Sequence, residues 1–126
     1  MDIGQPFIRL PYSFDAERLA QEVESINAAA WMPHPQRLLG NSAVALISKG
    51  GADNDHFSGK MAETPHLAKC EYLRQVLASF DEVLGRSRLM KLDAGAEVAL
   101  HVDFNYHWYS RVRIHIPVIT NPAVTF

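Results

Sequence analysis

Residues 88–126 read RLMKLDAGAEVALHVDFNYHWYSRVRIHIPVITNPAVTF. Three strand-like runs are visible in and around this stretch, at 87–92, 96–102 and 111–119, and Asp93-Ala94-Gly95 forms a turn between the first two. In an extended chain, residues two apart share a face. His101 therefore stands beside Asp103 in the tripeptide HVD. An imidazole nitrogen and a carboxylate oxygen so placed can take two neighbouring positions on a divalent ion, the start of a two-His, one-carboxylate site. By the same arithmetic Arg111, Arg113, His115, Pro117 and Ile119 share one face of the last run. Val112, Ile114, Ile116 and Val118 lie on the other. Such a strand can leave its polar face in water. It can also pack its apolar face outward and turn two guanidinium groups and an imidazole toward a cavity. Guanidinium groups grip carboxylates through paired charge-assisted hydrogen bonds, so that arrangement suits a small metal-chelating acid.

The earlier half of the chain supplies helices. Asp15 is placed to cap a helix running through AERLAQEVESINAAA, with Leu19, Val23 and Ile26 at helical spacing and Glu17 and Glu22 early in it. Pro33 and Pro35 end that helix by about Trp31. The apolar run AVALIS at 43–48 precedes a loop rich in Gly, Asp and Asn. Thr64 caps a second helix with Pro65 in first position and Leu67, Cys70, Leu73, Leu77 and Phe80 on one face, closed by Gly85. Helices first and strands last, without βαβ alternation, predict an α+β fold with an antiparallel sheet.

Composition narrows the function. With 126 residues, 48% of them hydrophobic and 21% charged, the chain is expected to form one globular domain with one core. A net charge of -2 with scattered basic residues, apart from RSR at 86–88 and RVR at 111–113, argues against nucleic acid or anionic lipid as partner. No apolar run reaches the roughly 18 residues of a membrane span, and the start MDIGQPFIRL lacks the form of a signal peptide. The single Cys70 suits a reducing cytoplasm and reads as a small buried apolar residue.

The run from Arg88 to Phe126 resembles the bacterial branch of the aspartyl/asparaginyl β-hydroxylase family of Fe(II)- and 2-oxoglutarate-dependent dioxygenases. The matching features are the strand ending in RLMKL, the Gly turn, H-x-D, and an R-x-H-x-P strand followed by TNP. PYSFDAERLAQEV, WMPHPQR, AVALISKGG and TPHLAKCEYLRQVLASF also fit that branch, so the resemblance covers nearly the whole chain. It implies a double-stranded β-helix, a jelly-roll or cupin-like barrel buttressed by N-terminal helices. It implies His101 and Asp103 as iron ligands, and Arg113 and His115, with Arg111 less firmly matched, as residues of the 2-oxoglutarate pocket. The implied activity is hydroxylation of an amino acid or an amino-acid residue. Members of the family continue beyond the TNP strand, where a distal His and usually a second Arg are found. The expectation for residues 1–126 is therefore a single domain lacking the C-terminal side of its barrel. Its third ligand would come from water or another residue, with His34, His56, His66 and His107 as candidates. Strand 111–119 would then present an open edge suited to homo-oligomer formation. The alternative is an incompetent fragment or binding module.

Overall fold

In the computed structural model, the described residues are Gly4, 7–35, 38–103 and 106–125, without the side chains of Tyr106 and His107. Helix α1 (Ala16–Ser25) begins where Asp15 predicts, because the Asp15 carboxylate accepts the N–H groups of Glu17 and Arg18, both at 3.1 Å. It stops earlier than the sequence pattern suggests. Ile26 turns extended, and Asn27 caps a separate short turn of 3₁₀ helix over Ala28–Ala30. The Ser25 hydroxyl donates to the Glu22 carbonyl, a local bond that competes with helix propagation. Leu19 carries the buried face.

The second helix is also two. Thr64 and Pro65 open α2 (Pro65–Ala68) as expected, but Cys70 leaves the helical region and α3 (Glu71–Ala78) starts afresh, ending at Ser79 rather than near Gly85. Cys70 makes no side-chain cap. Instead Glu22 on α1 receives the N–H groups of Tyr72 and Leu73 at 2.7 and 2.8 Å, one on each carboxylate oxygen. A side chain from another helix thus serves as the α3 cap, and it locks α1 to α3.

Four strands form one open antiparallel sheet: β1 (Met32–Pro33), β2 (Asn41–Lys49), β3 (Met61–Glu63) and β4 (Ser87–Leu92). The AVALIS run is the heart of β2, the central strand, with β4 along one edge and β1 and β3 sharing the other. Val44, Leu46 and Ser48 on β2 and Leu89 on β4 face the helices, where they join Leu19, Leu67, Cys70, Leu73, Val76 and Phe80 in the buried layer. Thr64 ties the layers together. Its N–H donates to the Leu46 carbonyl, its hydroxyl donates to the Ala45 carbonyl at 2.7 Å, and the same oxygen accepts from Leu67.

The other face of the sheet carries Asn41, Ala43 and Ala45 opposite Leu92, Met90 and Arg88. Met90 and Leu92 are half exposed there. The chain is thus α+β with an antiparallel sheet, as the sequence predicts, but helices and strands interleave rather than following in two blocks. Strand β4 and its turn match their expected positions, with the Ala96 N–H closing on the Asp93 carbonyl at 3.0 Å and Gly95 at φ 76°.

Runs 96–102 and 111–119 need correction: among the described residues neither pairs into a ladder. Alternating side chains favour an extended backbone, but a strand also needs a neighbour to take its N–H and C=O groups. Without one, Leu100, Val102, Val112 and Ile114 remain exposed. Ile116 and Val118 are the exceptions and pack against the core, as their shared face suggests. The open ladder edge lies on β4, not on 111–119. Among the described residues no helix is long and apolar enough to cross a membrane.

Candidate functional site

His101 and Asp103 come together at the end of the 96–103 segment, with His101 Nε2 3.7 Å from Asp103 Oδ1. The other ring nitrogen, Nδ1, is 2.7 Å from the Ala99 carbonyl oxygen. A carbonyl can only accept, so Nδ1 carries a proton, and Nε2 is the ring nitrogen turned toward the carboxylate. A backbone carbonyl on the far ring nitrogen is the usual support of an imidazole that ligates a metal through Nε2. Two donors bound side by side at about 2.1 Å stand roughly 3 Å apart, so a small closing movement would let both reach one ion. The donor set, one imidazole and one carboxylate, fits Fe(II) as its first two protein ligands. Among the described residues no third His, Cys, Asp or Glu joins them.

Arg113 completes the group. Its Nη2 donates to Asp103 Oδ2, leaving Oδ1 on the His101 side. Its guanidinium lies 4.5 Å from the centre of the Trp108 ring, on the short 3₁₀ turn Tyr106–Tyr109. His115 feels the same charge: partial burial first, and then Arg113, lower its pKa below the usual 6.5, so the ring is neutral at pH 7. Arg111 is exposed. His101 and Asp103 thus meet as the spacing suggests, and Arg113 joins them, but not in an interior hollow. The side chains of His101 and Asp103 are 59% and 40% exposed. The missing ladder explains this, since without paired strands no wall encloses them.

The suggested substitutes for a third ligand are spread out. His66, on α2, is 3.2 Å from Asp53. His56 is exposed in the loop, and His34 lines a cavity on the open sheet face. The side chain of His107 lies outside the described residues.

That cavity was not foreseen. It measures about 250 Å³, has Met32, Ala43 and Ala45 as its apolar floor, and is flanked by Asn41, Arg86, Arg88 and the loop Asp53–Asp55. Arg88 is on β4 opposite Ala45, whose small side chain leaves room beside the guanidinium. Asp55 Oδ1 accepts from both Arg86 and Arg88. Arg86 also lies 4.0 Å from the centre of the Phe57 ring, which meets Trp108 edge-on at 6.4 Å. A ladder of Arg86, Phe57, Trp108 and Arg113 therefore joins the cavity to the His101–Asp103 pair. The only trace of it in the sequence is RSR at 86–88, which charge counting treats as ordinary surface.

No family model, curated protein or solved structure matches this chain.

Proposed function

We propose that this chain is an Fe(II)- and 2-oxoglutarate-dependent dioxygenase domain of the aspartyl/asparaginyl β-hydroxylase type, a cytoplasmic oxidoreductase that hydroxylates an amino acid or an amino-acid residue. The observation that carries the reading is the convergence of His101 Nε2 with Asp103 Oδ1 while Nδ1 is held by the Ala99 carbonyl. The double-stranded β-helix belongs to this proposal. Its support is an antiparallel sheet with helices on one face and, on the other, a partly apolar face holding a cavity.

His101 and Asp103 would hold the ion. When bound, iron, 2-oxoglutarate and molecular oxygen would supply the oxidation of an unactivated C–H bond, one oxygen atom going to the new hydroxyl and the other to succinate, with carbon dioxide released. Arg113 orients the carboxylate by taking Oδ2, so that Oδ1 faces the imidazole. The neutral His115 can donate a hydrogen bond to a co-substrate carboxylate without adding charge beside Arg113. Arg111 provides a further cation on the same segment for that carboxylate. The open edge of β4 is the surface through which copies of the chain would pair.

The test is to supply Fe(II), 2-oxoglutarate, oxygen and a panel of amino acids and measure succinate. Succinate from the wild type that vanishes in His101→Ala supports the reading. Metal binding without succinate under any condition favours the binding module instead.

A further inference from the structure

The cavity on the open sheet face has a charge pattern that the His101–Asp103 pair does not use. Arg86 and Arg88 share one oxygen of one carboxylate, Asp55 Oδ1, and both reach it with Nη1. The Nε and Nη2 donors of both guanidinium groups meet no acceptor among the described residues. The Arg86 side chain is only 10% exposed, so water does little to screen it. Burial and the charge of Arg88 together destabilise its cationic form. This wall of the cavity therefore calls for a second anion.

The cavity also has a carboxylate of its own, Asp53. Asp53 gives Oδ1 to His66. Asn41 also lines the cavity, on the same sheet face as Ala43 and Ala45. A volume of about 250 Å³ falls below the range of drug-sized pockets and suits a molecule of amino-acid size. The floor of Met32, Ala43 and Ala45 is apolar.

We infer that this cavity binds a small apolar α-amino acid, its carboxylate held by Arg86 and Arg88 and its ammonium group by Asp53. As a substrate site the inference rests on the dioxygenase reading, because the ladder through Phe57 and Trp108 leads to the proposed iron ligands. As a binding site it stands without metal.

The experiment separates the two. The full chain in EDTA, without 2-oxoglutarate, is titrated calorimetrically with L-leucine, with leucinamide, which lacks the carboxylate, and with 4-methylpentanoate, which lacks the ammonium. L-leucine should bind at millimolar concentration or below, and each analogue at least about tenfold more weakly. Arg88→Gln should lose the same factor by removing the carboxylate fork. Ala45→Leu should lose it by filling the floor and leaving every charge in place. Circular dichroism confirms that each variant is folded. The inference is overturned if no leucine binds at millimolar concentration, if 4-methylpentanoate binds as well as leucine, or if the folded variants bind like the wild type. Because no iron is present, a negative succinate assay leaves this result intact, and failure here leaves the metal test intact.

Discussion

Replacing Glu22 by Ala should destabilise the protein more than its place on a surface helix suggests. The half-buried carboxylate accepts two backbone N–H groups, from Tyr72 at 2.7 Å and Leu73 at 2.8 Å, and stands in for the cap that Cys70 does not supply. A helix N-cap is worth about 0.5–2 kcal/mol, and a hydrogen bond to a charged acceptor about 1.5–3 kcal/mol. These figures overlap, since water recovers part of what the exposed end of the helix loses. We therefore expect a loss of about 2–3 kcal/mol for Glu22→Ala. Glu22→Gln keeps one acceptor oxygen and loses the charge, so it should cost about half as much, on the order of 1 kcal/mol. At this chain length about 1 kcal/mol moves the midpoint by roughly 3–6 °C, which makes the Ala variant melt about 6–18 °C lower. Urea unfolding followed by circular dichroism measures the difference directly, with an unchanged slope showing that only stability moved. A Glu22→Ala protein within about 0.5 kcal/mol of the wild type, the usual range for plain surface substitutions, would refute the cross-helix cap.

Other consequences can be checked separately. Gly51→Ala should destabilise more than Gly50→Ala: both have positive φ, but a Cβ at 51 would stand 2.5 Å from the Glu63 carbonyl oxygen, whereas at 50 it meets nothing within 4 Å. The left-handed conformation alone costs roughly 1–2 kcal/mol, so urea unfolding should show about that for Gly50→Ala and a larger loss for Gly51→Ala. Cys70 should resist thiol reagents in the native protein and react once unfolded, since burial and then the nearby Glu22 charge push its pKa above 9.0. His115 should titrate below 6.5 by NMR, and Arg113→Gln should raise its midpoint only in part, because burial is the larger cause. The unfolded chain then binds the proton first as pH falls. The stability from His115 is complete above about pH 6.5 and is lost as pH drops from there through the folded pKa.

Much of the helix layer was legible because it is written in local chemistry. The Asp15 carboxylate, Thr64 with Pro65, and the Asp93 to Ala96 turn act within a few residues of themselves, and each stands where the spacing puts it. The breaks at Ile26 and Cys70 were not legible. The Cys70 break depends on Glu22, about fifty residues away, and no periodicity in α3 reveals that partner. Strands β1 and β3 are short and exist by virtue of β2, so their own residues carry little signal. The converse holds at 96–102 and 111–119, where strong alternation meets no partner strand among the described residues. At the candidate site, the proximity of His101 to Asp103 follows from two-residue spacing, whereas the Arg113 contact and the Ala99 carbonyl on Nδ1 needed coordinates. The cavity between Arg88 and Asn41 needed the β2–β4 register.

The most direct measurement is divalent-ion binding by the full chain. Anaerobic calorimetric titration with Fe(II) should show one ion per chain for the wild type. His101→Ala and Asp103→Ala should each weaken that binding by at least about tenfold while leaving the circular dichroism spectrum unchanged. Equal affinity in all three proteins, or no binding by the wild type, would contradict the assignment of His101 and Asp103 as a metal-holding pair.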